Sequence, residues 1–515
     1  MTSGEAAPAQ PSSLLHLGTP AGRWVVVATV LGSAMASIDA TVVGIALPTI
    51  GREFHASFGA LQWVVTGYTL TLSSLLLLGG SLGDQYGRRR IFLVGVAWFV
   101  VASCACAVMP GTTTLIGARV LQGIGAALLT PGSLAILQAS FDPDDRGRAI
   151  GSWSGLGGVA AAAGPLIGGY LIAVASWRLI FLVNLPVGIF VLLLSVRHIP
   201  ESRDPTANKH IDLPGAMLAM VALAGITFAL IQGPAEGWST PAVLVMLAAG
   251  LVGGFAFVRV ERSSPAPMLP LAVFRVRQFT VTNAVTFIIY AALGGALFLL
   301  PIQLQVAGGY SPLESGVALL PLTVVMFLLS ARSGRLATNI GPRLQMSVGP
   351  VVVGAGLALL ARVATDTSYL SGVLPAVLLF GLGLAITVAP LTATALGALA
   401  DEHSGLASAV NNDVARIGSL IAVAVLPTAA GITGTSYLHP AEFSRGFRTA
   451  VLIAGGLCVC AGVLSALGIR NPRREPRAGT SHSPAVESSE CFHCALDATP
   501  LAVESGVSAS PDRPR

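Results

Sequence analysis

Charge is what this sequence has least of. Asp, Glu, Lys and Arg make up 10% of its 515 residues while apolar side chains make up 53%, a balance that excludes a water-soluble globule of this length. Lysine is nearly absent: the sole one, Lys209, follows Asn208 rather than a phosphate-cradling glycine, so the chain has no Walker A site and no ATPase of its own. All eight histidines fall in expected loops or tails, which argues against a histidine proton relay and against a haem or metal centre in the membrane. The cysteines lie as Cys104/Cys106 and Cys458/Cys460 within apolar runs and Cys491/Cys494 in the tail, unlike a secreted disulfide framework. No disulfide is expected, and a lone Cys491/Cys494 pair is too little for a metal site. No basic residue precedes Arg23, and the first 22 residues hold one acid and several prolines, so they read as a disordered cytoplasmic tail rather than a cleavable signal. The net charge of +5 could suggest an acidic partner, but its placement matters more than its sum. No nucleic-acid partner is expected.

What is present is long apolar runs, rich in Gly and Ala, from Trp24 to about Leu467. Runs of about 18 residues or more cross a hydrocarbon core of roughly 30 Å. The backbone there needs internal partners, and continuous runs point to helices rather than to the alternating strands of a barrel. Fourteen spans are expected at about 24–50, 61–82, 90–109, 113–138, 148–175, 177–197, 211–231, 241–259, 279–303, 313–331, 345–363, 371–399, 404–431 and 447–469. Arg and Lys number 20 in the loops and tails of one side, leaving out the distal Arg513 and Arg515. On the other side stand only Arg52, Arg178, Arg362, Arg445 and Arg448, so both termini are expected in the cytoplasm of a multi-pass plasma-membrane protein. Gly80-Ser-Leu82-Gly-Asp84-Gln-Tyr-Gly87-Arg88 after the second span has the glycine spacing of Gly334-Arg-Leu336-Ala-Thr338-Asn-Ile-Gly341 after the tenth. The chain therefore divides into a tail (1–22), a six-helix bundle (23–198), two inserted helices with their loops (199–278), a second six-helix bundle (279–470) and a disordered tail (471–515).

Four local patterns carry a resemblance over about residues 24 to 470. They are Gly80-x-Leu82-x-Asp84-x-x-Gly87-Arg88-Arg89-Arg90, Arg119-Val-Leu-Gln122-Gly123-Ile-Gly125, Gly164-Pro165-Leu-Ile-Gly168-Gly169 and Ile38-Asp39-Ala-Thr41-Val-Val-Gly44-Ile-Ala-Leu47-Pro48. Together they resemble the major facilitator superfamily, specifically its fourteen-span drug:proton antiporters of the EmrB/QacA type. The resemblance implies an all-α membrane fold of two six-helix bundles plus two inserted helices. It further implies an antiporter-type fifth helix at Gly164, Pro165, Gly168 and Gly169, and a conformational switch at Gly80, Asp84, Gly87 and Arg88. Gly44 stands where the family usually shows Asn, and Thr338 where the second loop's Asp would fall.

Intramembrane charges are costly and mark function by default: Asp39 in the first span, Arg119 in the fourth, Asp413 and Arg416 in the thirteenth. Burial penalises ionised Asp39 while a nearby Arg119 favours it, which lets the carboxyl load and release a proton between two states of a cycle. Asp413 and Arg416, three residues apart, either neutralise each other or serve as a second coupling pair. Met35, Phe287, Tyr290, Met326 and Phe327 are candidate cavity residues, since aromatic and thioether groups suit loosely specified apolar ligands. Gly79-Gly-Ser81-Leu-Gly83 formally fits a hydrolase elbow but ends a membrane span without a strand or a histidine partner, so no enzyme is expected. The reading is proton-coupled efflux of small amphipathic compounds, driven by the proton gradient without a cofactor. Its competitors are a dedicated exporter of one metabolite, an uptake symporter and a non-transporting scaffold.

Overall fold

The computed structural model describes residues 14–204, 211–265, 267–363, 367–400 and 404–471. Asn208 and Lys209, the first 13 residues, and the tail with Cys491 and Cys494 lie outside the described residues. Among the described residues fourteen helices are long and apolar enough to cross a membrane: α1 Pro20–Phe54, α2 Phe58–Tyr86, α3 Arg88–Val108, α4 Thr112–Ser140, α5 Pro143–Val174, α6 Leu179–His198, α7 Leu213–Glu236, α8 Pro241–Ser263, α9 Arg277–Val306, α10 Pro312–Ile340, α11 Pro342–Leu360, α12 Tyr369–Leu396, α13 Gly405–Ala429 and α14 Pro440–Gly468. Among the described residues the only β pairing is an isolated bridge between Leu15 and Phe141.

Most helices outrun the apolar spans read from the sequence, because polar side chains extend them past the hydrocarbon. Thr19 caps α1 by accepting from Gly22 N–H, and Ser57 caps α2 by accepting from Ala60 N–H. Ser311 and Glu314 form a reciprocal capping box at the start of α10. Residues 14–19, read from the sequence as part of a disordered tail, are instead tied down. Leu15 N–H donates to Ser140 O at 2.8 Å, and Leu17 N–H donates to the Asp145 carboxylate at 3.0 Å.

The turns α2–α3 and α10–α11 are built alike. Gly87 (φ +115°) and Gly341 (φ +86°) occupy the left-handed region that a side chain resists, so the sequence repeat marks the same structural turn twice. Within the first six helices α2 and α3 pack on α4, and α5 on α1. Within the last six, α10 packs on α12, α11 on α12 and α14, and α9 on α13 and α14. The inserted helices α7 and α8 pack chiefly on each other, and α7 also touches α2 and α13.

Taking the Asp84 turn to mark one face, the two six-helix sets meet at the opposite, far face. There Gln62 Nε2 donates to Val423 O (2.6 Å), Phe58 N–H to Gly434 O (2.7 Å), Tyr437 Oη to Ala56 O (2.7 Å) and Gln305 Nε2 to Ile45 O (3.0 Å). The Phe58 ring fills the same region against Phe298, Tyr437 and Phe443, with centroids 5.7–6.2 Å apart. On the Asp84 face the reverse holds: side chains placed at Gly147, Gly151, Gly155, Gly157 or Gly158 of α5 would meet open space.

Candidate functional site

Close approach of α4 to α2 builds the first part of the site. Gly123 has no side chain where one would lie 2.6 Å from the Tyr68 carbonyl oxygen, and Arg119 is one helical turn away on the same face. The Arg119 guanidinium consequently lies over the Tyr68 ring, 4.3 Å from its centroid. Its Nε donates to Val64 O at 3.0 Å, and one Nη donates both to Gln122 Oε1 at 2.6 Å and to Asp39 Oδ2 in a short ion pair. The Gln122 amide nitrogen donates to Asp39 Oδ1 at 2.8 Å and to Ser103 Oγ at 2.7 Å, and Asn184 of α6 donates to the same hydroxyl at 3.3 Å. Asp39 is 0% and Arg119 1% exposed. Both carboxylate oxygens thus accept from fixed donors, and neither aqueous side reaches them.

The expected partnership of Asp39 and Arg119 is therefore present in the geometry, within a network of Asp39 from α1, Ser103 from α3, Arg119 and Gln122 from α4 and Asn184 from α6, backed by Val64 and Tyr68 of α2. Sequence reasoning missed Tyr68, Ser103 and Asn184. Their signal was available, since a polar side chain inside an apolar span needs a partner, but short hydroxyls and amides are frequent enough that spacing alone did not select them. Gly44 faces open space, so the Asn found there in the family would have room.

Gly164 and Gly168 bring α5 against α1 beside this network, where added side chains would run into Thr41 and Val42 respectively. Thr41 Oγ1 donates across the crossing to Ala161 O at 3.3 Å. Gly169 instead faces the other six-helix set: a Cβ there would lie 2.6 Å from Leu313 Cα, and one at Gly316 would strike the Pro165 carbonyl. The glycine pattern of α5 thus serves two crossings, one inside the first set and one between sets.

At the α2–α3 turn, Arg88 Nε donates to Asp84 Oδ1 at 2.8 Å, and its Nη1 reaches Ala135 O near the end of α4 at 3.5 Å. Backbone bonds extend the turn to the irregular segment after α6: Arg88 N–H donates to Ser202 O (2.9 Å) and Asp204 N–H to Asp84 O (3.1 Å). A side chain at Gly87 would be strained by its φ of +115°, and its Cβ would displace the Glu201 carboxylate, 2.6 Å away. Gly80 lies against Pro131 of α4.

The remaining candidates are not gathered into one place. Asp413 and Arg416 do not close a hydrogen-bonded ion pair, and Asp413 Oδ1 is buried without a donor, so mutual neutralisation through direct contact is not how this pair is satisfied. Arg416 lies within electrostatic reach of Asp413, of Tyr290, and of Tyr68 in the other set. Met35, expected to line a cavity, is 2% exposed and packed into the core near Gly188 because α1 and α6 cross there. Tyr290 and Met326 are half-buried against the large core cluster, while Phe287 and Phe327 are exposed. A cleft of about 490 Å³ lies elsewhere, at the far face between Pro48, Arg52, Gln305, Tyr310, Glu314 and Tyr437.

Fourteen membrane-length helices around a buried ion pair, with two six-helix sets bonded to each other at the far face, define a multi-pass membrane transporter. The chain belongs to the Major Facilitator Superfamily, whose family model matches residues 29–423. It is similar to the methylenomycin A resistance protein of Bacillus subtilis (strain 168), 36% identical over 419 residues that cover 81% of this chain and 89% of the relative. It is similar also to the multidrug resistance protein Stp of Mycobacterium tuberculosis (strain CDC 1551 / Oshkosh), 36% identical over 80% of this chain and 77% of the relative. The tetracenomycin C resistance and export protein of Streptomyces glaucescens is 35% identical over 81% and 78%. Among solved structures, a peptide transporter POT in complex with sulfate aligns with a TM-score of 0.63 at 15% identity, covering 87% of this chain and 94% of that one. A bacterial homolog of the human lysosomal transporter Spinster, inward-facing and unoccupied, aligns with a TM-score of 0.62 at 16% identity, over 88% and 97%. At those identities the two structures speak for the fold alone.

Proposed function

We propose that this protein exports small amphipathic compounds, such as drugs, antibiotics or dyes, across the cell membrane in exchange for protons, with both termini in the cytoplasm. The observation that carries the reading is the Asp39–Arg119 pair, fully buried among membrane-length helices in a chain whose relatives are named for resistance and export. A buried carboxylate and guanidinium are expensive to keep in lipid unless the transport cycle uses them. The chain acts as a carrier rather than an enzyme, with the proton gradient as its energy source and no cofactor.

Its chemistry follows from the partners. For Asp39 to take a proton it must part from Arg119, and Arg119 then keeps Gln122 Oε1, the Val64 carbonyl and the Tyr68 ring face. Those three acceptors lower the cost of parting, so the pair can open without stranding a cation. In the cycle Asp39 loads a proton from outside, rocking of the two six-helix sets exposes the central space to the cytoplasm, and substrate binding accompanies proton release. With the Asp84 face taken as cytoplasmic, the sealed far face and the open flank of α5 correspond to a cytoplasm-facing state.

The test is transport in energised inverted vesicles: an exporter accumulates substrate there, an uptake symporter releases it and a scaffold does neither. A growth-inhibition panel of varied antibiotics and dyes in an efflux-deficient host then measures breadth. Dedicated export of one compound is the second reading, favoured by relatives named for one antibiotic each, methylenomycin A and tetracenomycin C. Protection against one compound alone would select it.

A further inference from the structure

The inserted helices carry an acidic pair, one member of it buried, that the transport reading does not use. Glu261, in the last turn of α8, is 3% exposed, and its Oε1 has no donor. The Asp212 carboxyl, just ahead of α7, lies beside it, since the two side chains accept from the consecutive backbone N–H groups of Met268 and Leu269. The other oxygens are committed to backbone donors. Asp212 Oδ1 accepts from Gly215 N–H (2.8 Å) and Oδ2 from Met268 N–H (3.3 Å), while Glu261 Oε2 accepts from Leu269 N–H (3.1 Å).

We propose that Asp212 and Glu261 form a proton-binding site, a carboxyl–carboxylate pair sharing one proton, that clamps the α8–α9 linker to the inserted helices. Two ionised carboxylates held side by side repel each other and neither can donate, so one shared proton both removes the repulsion and supplies the donor that buried Glu261 Oε1 lacks. Among the described residues no basic side chain pairs with either carboxylate: Arg259 and Arg262 share the helix of Glu261, Arg275 and Arg277 stand at the far end of the linker, and none closes an ion pair there. Lys209 and His210 lie outside the described residues. A metal ion is the poorer occupant, because a hard divalent cation seeks six or more oxygens while three of these four already face N–H donors.

The clamp has a mechanical reach. It holds the backbone at Met268 and Leu269, and the linker beyond packs Leu269, Val273 and Phe274 against Phe279 of α9 and Ala407 and Val410 of α13. Loss of the proton at high pH leaves two adjoining negative charges and frees the linker from the inserted pair, so the inner ends of α9 and α13 become sensitive to pH on that face.

The full-length protein in detergent tests this by infrared difference spectroscopy between about pH 5 and pH 9, the range over which such coupled carboxyls separate. A carboxylic-acid carbonyl band should vanish on alkalinisation. It should be missing from Glu261→Gln and from Asp212→Asn, whose amides replace the shared proton as donor, and should persist in Asp39→Asn. Hydrogen exchange gives the mechanical readout: near pH 9 the amides of residues 267–276 should exchange about tenfold faster in the parent than in either amide variant, and equally near pH 5. The parent's own exchange at the two pH values, corrected for the intrinsic rate, suffices if a variant does not fold. A band that survives both substitutions, or linker exchange unaffected by pH, overturns the proposal; so does loss of the band on adding calcium at constant pH, which would make the site a cation site. None of these outcomes depends on whether the protein exports drugs.

Discussion

Asp39→Asn is the substitution on which the proton-coupling reading stands or falls, and the geometry makes it less innocent than its shape suggests. It removes the counter-charge of a guanidinium that is 1% exposed. Breaking a buried pair from one side costs about 3–5 kcal/mol, because the remaining charge is left without compensation. Here Arg119 keeps Gln122 Oε1 at 2.6 Å, the Val64 carbonyl at 3.0 Å and the Tyr68 face at 4.3 Å. A desolvated cation–π contact contributes about 2 kcal/mol, and the Asn carbonyl still accepts. The expected net loss is therefore about 2–3 kcal/mol, and adding Arg119→Gln should recover about 1–2 kcal/mol of it by removing the stranded charge. Unfolding in detergent reads the stability of parent, single and double variants. Inverted vesicles at equal membrane abundance read transport, which both variants should lack because neither can titrate at position 39. An Asp39→Asn protein that accumulates substrate as well as the parent would refute Asp39 as the coupling group, and Asp413, with its unpartnered Oδ1, would replace it.

Asp39→Glu should retain part of the activity with a shifted pH profile, since the titrating group survives but one methylene alters its fit to Arg119; a profile superimposable on the parent's counts against the pairing. Asp84→Asn should impair transport with little change in membrane abundance, because the half-buried pair with Arg88 contributes only about 1 kcal/mol to stability, whereas Arg88→Lys should be milder. Unchanged transport in Asp84→Asn would leave that turn an anchoring role only. Gly169→Ala places a methyl against Leu313 Cα across the far-face seam at a cost of about 1–3 kcal/mol. It should raise the thiol reactivity of a Leu313→Cys reporter, and equal labelling with and without Gly169→Ala would show that the seam is not a gate. Cysteines at Thr113 and Gly237 should react with an impermeant reagent from outside the cell and one at Asn208 should not; the reverse pattern would invert the orientation.

Much of the helix inventory was legible because lipid imposes a length and a polarity on anything that crosses it. Each expected span found its helix, and errors collected at the ends, where caps such as Thr19, Ser57 and the Ser311–Glu314 box extend the helix beyond the apolar run. The Gly87 and Gly341 turns were visible as a repeat because a left-handed backbone angle restricts the residue type. Met35 was misread for a corresponding reason: apolarity says that a side chain leaves water, not whether it enters a cavity or a helix crossing.

The sequence by itself thus determined the number of helices, the turns that repeat and the identity of the charges too costly to be incidental, since each follows from local composition against the bilayer. Tertiary structure alone decided how those charges are satisfied. Asp39 and Arg119 stand 80 residues apart and meet only because Gly123 lets α4 lie against Tyr68, while Asp413 and Arg416, three residues apart, do not close a bond. Likewise Gln62 finds Val423 across 361 residues, and Glu261 finds Asp212 through the crossing of α7 and α8. Such pairings depend on which helix faces are brought together, and a one-dimensional pattern carries the faces but not their neighbours.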